Sequence, residues 1–153
     1  MMSAAPPVRT ILVALDESPR APLVIATASL IARALTARLF PIRVLVIPPQ
    51  IPPAAHTHPD GLQGVLEAEA RDDLQKLMDA EPLVDFGTPI VVEGEPWRQI
   101  LVAARDLDVD LIVVGSHRYH GLDRILGTTA AKVVNHADRN VLVVHARPEV
   151  ANP

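Results

Sequence analysis

The chain has 153 residues, of which 49% are hydrophobic, 21% charged and 3% aromatic. That length and balance suit one globular domain with a core of its own and exclude a disordered chain. A formal net charge of −4 and so few aromatics argue against nucleic acid as a partner, and the lack of cysteine excludes disulfide scaffolds, thiol catalysis and zinc–thiolate sites.

Met1–Val8 are expected to form a flexible arm. The start MMSAAPPVRT has no basic stretch leading into an apolar one, so it does not read as a secretory leader. Arg9–Leu15 (RTILVAL) is a compact aliphatic run that predicts a strand, ended by the turn and cap chemistry of Asp16-Glu17-Ser18-Pro19. Ala21–Arg38 is apolar on most faces and predicts a largely buried helix, with Pro22 tolerated in its first turn. Its longest mostly apolar stretch, Ala21–Ala32, is broken by Thr27 and Ser29 and is too short to cross a bilayer. A cytoplasmic protein without a membrane segment is the expectation.

Leu39–Ile47 (LFPIRVLVI) predicts a second strand. Pro41 removes one ladder donor, so it belongs near the strand start or at an unpaired position. Pro48–Gly61, with five prolines, predicts the one long loop. Leu62–Ala80 places Leu62, Val65, Leu66, Ala70, Leu74, Leu77 and Met78 on one stripe of an amphipathic helix. Thr88–Glu93 predicts a third strand, and Pro96 then suits the first turn of a helix striped by Trp97, Ile100, Leu101, Ala104 and Leu107. Asp110–Gly115 predicts a fourth strand, Gly115–Leu126 a polar connection, Thr128–Ala137 a short helix and Asn140–His145 a fifth strand. Ala146–Pro153 is expected to be a flexible tail.

The strands are near-continuous aliphatic runs rather than alternations, as for strands buried on both faces. Separated by helices, they predict an α/β fold, a doubly wound five-stranded parallel sheet with helices on both sides. Such sheets bind ligands beyond the carboxyl ends of the strands where the winding reverses. Two segments qualify: Ala14-Leu15-Asp16-Glu17-Ser18 after the first strand, and Gly115 through Gly127-Thr128-Thr129 after the fourth. Gly115 permits a sharp turn or a close ligand approach. A helix opening at Gly127-Thr128-Thr129 offers unpaired N–H groups to phosphate, with His117, Arg118, His120 and Arg124 nearby to screen an anion. On the plainer reading both glycines serve turns, and Thr128 and Asp16 are helix caps. No Walker loop is present.

ILVALDES at 11–18, EGEPWRQIL at 93–101, DLIVVGSH at 110–117 and GLDRILGTTAAKVVNHADRNVLVV at 121–144 resemble the universal stress protein family, and the resemblance runs over essentially the whole chain. It implies a strand order of 3-2-1-4-5 and homodimers paired through the last strand, here Asn140–His145. That strand is an aliphatic edge which would otherwise invite aggregation. It also implies an adenine nucleotide, ATP or AMP, as bound by some members, with Mg²⁺ where the ligand is ATP. The phosphate motif of those members is Gly, two residues, Gly, nine residues, then Gly-Ser/Thr. Gly115 matches its first glycine, and Gly127 and Thr128 its closing pair. Arg118 stands where the middle glycine falls, and Tyr119–Leu126 leave the gap one residue short. Arg118 either blocks a close approach or grips a phosphate itself. Asp16 matches a carboxylate near the ribose or a phosphate-bound metal. Ala14, Leu15 and Val114 join the base or ribose side, and Val44 matches a position that contacts adenine, although a plain core valine fits there equally.

Other polar groups carry less. His56-x-His58-x-Asp60 is a weak metal pattern without an assured third ligand. His136 suits a helix C-terminus, and Trp97 reads as a packing residue. No serine lies in a nucleophile elbow and no base is evident. The sequence therefore predicts a stress-response regulatory or protective protein that binds an adenine nucleotide where strands one and four meet. Its alternatives are a nucleotide-free dimeric interaction protein of the same family and a weak Mg²⁺-dependent ATPase.

Overall fold

The aliphatic runs become five strands: β1 (Thr10–Ala14), β2 (Arg38–Leu45), β3 (Ile90–Glu93), β4 (Leu111–Gly115) and β5 (Asn140–Val144). The helices between them are α1 (Ala21–Leu35), α2 (Gly61–Asp79), α3 (Pro96–Asp106) and α4 (Thr128–His136). The computed structural model describes residues 4–47, 61–116 and 127–146. Residues 48–60, with His56, His58 and Asp60, lie outside the described residues. So do His117, Arg118, His120, Gly121 and Arg124 in the polar connection, and the tail beyond Ala146.

All strands run parallel, in the order β3-β2-β1-β4-β5. Successive side chains of a strand point to opposite faces, and here both faces are covered. Ile11, Val13 and Leu39 pack under α1 and α2 with Val24, Ile25, Ala28 and Leu74. Leu12, Ile42, Ile112 and Val114 pack under α3 and α4 with Ile100, Leu101 and Val133. This two-sided burial is why the strands read as unbroken apolar runs.

Element boundaries differ from the periodicity where a local backbone effect intervenes. α1 stops at Leu35 instead of continuing to Arg38, because Thr36 turns left-handed at φ 54°. Its N–H and that of Ala37 close on the carbonyls of Arg33 and Ala32, a helix-ending pattern more usual with glycine. Arg38 then donates to the carbonyl of Arg9 and starts β2 beside β1.

Pro41 sits in the middle of β2, yet at an unpaired position. Leu39 exchanges backbone bonds with Asp85 and Gly87 on the β3 side, so residues of the same parity, Pro41 included, face that side. The ladder there is broken: Leu39 bridges Phe86, and pairing resumes only at Ile42 with Ile90. The third strand offers one extra residue over this gap, and it therefore begins at Ile90 rather than Thr88.

From β1 the chain winds outward through β2 and β3, then returns to lay β4 and β5 on the other side of β1. The winding reverses between β1 and β4, the place where open sheets of this kind leave an opening beyond the carboxyl ends of their strands.

Candidate functional site

A cleft of about 330 Å³ opens at this reversal. Its floor is apolar: Ala14 and Leu15 from β1 and its exit, Ile42 and Val44 of β2 with Val46 just past its end, and Val114 and Gly115 from β4. Pro96 and Ile100 of α3 and Thr129 of α4 form the wall, and the polar Asp16 lies at the rim. Seven of the residues expected from the sequence therefore meet in one place: Ala14, Leu15, Asp16, Val44, Val114, Gly115 and Thr129. Gly127 and Thr128 do not line it but adjoin it as the N-cap and first residue of α4. Arg118 lies outside the described residues.

Ile42, Val46, Pro96 and Ile100 are cleft residues that the motif reading missed. Simple periodicity held the signal. Residues 42, 44 and 46 share one face of a strand, and 96 and 100 share one face of a helix.

Two expected alternatives are corrected. Asp16 does not cap α1, whose N-cap position is Arg20. Asp16 Oδ1 instead accepts the N–H of Ser18 at 2.9 Å, folding the loop on itself in an Asx turn. Thr128 is not a cap either. Gly127 is the N-cap of α4 and has no side chain to cover the first N–H groups of that helix. The carbonyl of Gly127 accepts the N–H of Ala131 and closes the first turn.

Gly115 lines the cleft and also has a packing role. A Cβ placed on it would stand 2.9 Å from Val24 Cγ2 of α1. The missing side chain makes room for α1 packing, on the sheet face opposite the wall formed by α3 and α4.

The α3 end of the cleft is tied to α4 through Glu95. Its Oε1 accepts Trp97 Nε1–H at 2.7 Å, its Oε2 pairs with Arg98 at 2.9 Å, and Lys132 Nζ approaches to 3.6 Å. The Trp97 hydrogen bond first, then Arg98 and Lys132, hold the Glu95 carboxyl below its ordinary value. Trp97 is half-buried with its ring 4.6 Å from that of His136, so it packs between helices as expected. His136 lies in the last turn of α4, its Nδ1 2.8 Å from the carbonyl of Lys132.

Behind the cleft, Arg43 is a charged residue inside an aliphatic strand with a side chain only 3% exposed. Its Nε and one terminal nitrogen donate to the carbonyls of Leu15 and Asp16, at 3.2 and 2.9 Å. Nothing in the motif reading singled it out, although a lone arginine between Ile42 and Val44 is itself a signal.

The family model described as the universal stress protein family matches residues 7–145. The chain belongs to the universal stress protein family. Universal stress protein A homolog 1 of Coxiella burnetii is 33% identical over 136 residues, covering 88% of this chain and 94% of that one. Among solved structures, the universal stress protein UspA from Lactobacillus plantarum superposes with a TM-score of 0.76 at 26% identity, covering 92% of this chain and 99% of the other. A universal stress protein in complex with cAMP has the same fold, with a TM-score of 0.68 at 22% identity over 92% of this chain and 98% of its own. The five-stranded parallel sheet and its order are those of the family's α/β fold. No helix among the described residues is long and apolar enough to cross a membrane.

Proposed function

We propose that this universal stress protein is a cytoplasmic stress-response regulator that binds an adenine nucleotide, ATP or AMP, in the cleft between β1 and β4. The cleft itself carries the reading: an apolar hollow of about 330 Å³ with one carboxylate at its rim and an uncovered helix start beside it. That volume lies in the range typical of small-ligand sites. Ile42, Val44, Ile100 and Val114 offer a purine an apolar seat. Asp16 is placed to accept from ribose hydroxyls, and would share in holding Mg²⁺ when the ligand is ATP. The N–H groups of Thr128 and Thr129 at the head of α4 suit a phosphate, joined by Arg118 from the adjoining connection. That a protein of this fold forms a complex with cAMP supports the choice of an adenine ligand.

The homodimer belongs to the same proposal. Among the described residues β5 pairs with β4 and has no strand on its other side. Val144 turns its carbonyl toward β4, so Val141 and Val143 present their backbone groups to the open side, ready for a second copy.

Isothermal titration with AMP and ATP tests the reading. Binding tighter than about 1 mM, roughly 4 kcal/mol, is expected. Gly127→Val, which puts a branched side chain at the head of α4, should abolish it. Weaker binding by the unmodified chain, or unchanged affinity in the variant, overturns the site. Sedimentation of the same samples should give a dimer, and a monomer removes the strand pairing.

A further inference from the structure

The two lips of the cleft are each held from behind by an arginine that points away from the ligand space. On the β1 lip, Arg43 reaches from β2 to the carbonyls of Leu15 and Asp16, and its remaining terminal nitrogen meets Asp73 of α2 at 3.3 Å. On the β4 lip, Arg20 reaches from the head of α1 and donates to the carbonyl of Ser116 at 2.6 Å. The N–H of Ser116 is meanwhile spent on Val144. Both guanidinium groups therefore grip main-chain carbonyls, and both carbonyl sets leave the carboxyl ends of the strands that flank the winding reversal.

A buried guanidinium is costly unless its donors are met. Asp73 is half-exposed, so its ion pair with Arg43 contributes little on its own. The strong bonds of Arg43 go to the loop that bears Asp16. That loop is exposed at Asp16 and Glu17, just past the Leu15 N–H, which bonds the carbonyl of Ile42. From the cleft side, the Asx turn to Ser18 fixes Asp16 through its carboxylate. Clamped at its carbonyl and turned at its side chain, Asp16 has little freedom left.

We propose that Arg43 and Arg20 are positioning residues that hold the lips of the cleft at a fixed spacing before a ligand enters. The effect on binding rests on the adenine-nucleotide reading, while the effect on loop order does not. Preorganisation of this kind lowers the ordering cost that a ligand must otherwise meet. Lysine in place of Arg43 keeps the charge but cannot fork across its acceptors, and methionine in place of Arg20 removes its bond to Ser116.

Backbone hydrogen exchange of the ligand-free protein is the direct test. Arg43→Lys should speed exchange at the hydrogen-bonded Leu15 and Ser18 amides by about tenfold, and Arg20→Met should do the same at Ser116, with amides of β1 unchanged. Titration with AMP should show affinity lower by about tenfold in Arg43→Lys. In an Asp16→Ala background the same change should cost less than about twofold, because the group being positioned is gone. Unchanged exchange at the lips of folded variants overturns the proposal, as does an equal affinity loss with and without Asp16. Should Arg43→Lys fail to fold, the half-exposed Arg20 still decides the matter at the β4 lip. Should the unmodified protein bind neither AMP nor ATP, the nucleotide reading falls, and exchange alone judges the clamps.

Discussion

The two ends of the sheet use the same chemistry to different effect. At the amino end, Arg139 donates to the carbonyls of Ala104 and Val109 at 2.8 and 2.9 Å, with Asp138 and Asp108 beside it. Asp110 accepts the N–H groups of Arg9 and Thr10 and the Thr10 hydroxyl. These bonds close the end of α3 onto the starts of β1 and β4, and none of the residues that make them lines the cleft between β1 and β4. At the carboxyl end, Arg43 and Arg20 also grip carbonyls, but the loops they hold border an open, apolar hollow. An arginine clamp is therefore not in itself a functional mark. What it clamps decides whether it serves stability or a site.

The sharpest separation comes from Arg139→Met. Removing the guanidinium leaves the Val109 carbonyl before β4 without this donor, while the Ala104 carbonyl keeps the N–H of Val109, which together costs about 2 kcal/mol. Urea unfolding should show that loss while AMP affinity stays within about twofold of the unmodified chain. A fall in affinity that outruns the stability loss breaks the contrast between the ends. A smaller effect of opposite sign is expected at Thr36, where a β-branched residue is held left-handed at φ 54°. Thr36→Gly should relieve that strain and raise stability by about 1 kcal/mol, again without a change in binding. Unfolding at a lower urea midpoint would show that the threonine side chain contributes more than its backbone costs.

The same contrast explains what the sequence displays. The fold was legible because burial on both faces leaves a plain record: aliphatic runs such as Ile11–Val13 and Leu111–Val114, separated by helices. The cleft was legible in part: Ala14, Leu15 and Asp16 follow from strand ends at a winding reversal, where ligands sit, and Val44 and Val114 from the family resemblance. The function of single residues was harder to read. Asp16 looked equally like a cap, because an Asx turn and a helix cap ask for the same residue type. Gly115 does line the cleft, but the close packing of Val24 against it leaves no mark in the sequence. Arg43 stood in plain view, but its partners are main-chain carbonyls, and carbonyls leave no trace in residue identity. α1 ran past its end in the pattern because a left-handed threonine carries no glycine signal.

The mildest effect concerns pH and again belongs to the amino end. The backbone N–H of Arg9 first, then the bonds from Thr10, hold the Asp110 carboxyl below its ordinary value of 3.8. A carboxylate whose folded value is depressed contributes stability that is fully present above the unfolded value. That contribution is lost as pH falls through the folded value. Asp110→Asn keeps the shape but gives up the charge-assisted bonds, at a cost of about 1 kcal/mol near neutrality. The gap in unfolding free energy between the two proteins should be flat from neutrality down to about pH 5. It should then narrow as the solution passes below the ordinary aspartate value. A gap that persists unchanged at the lowest pH at which both chains fold would mean that the carboxylate charge contributes nothing there. The amino end would then be closed by Arg139 and backbone pairing alone.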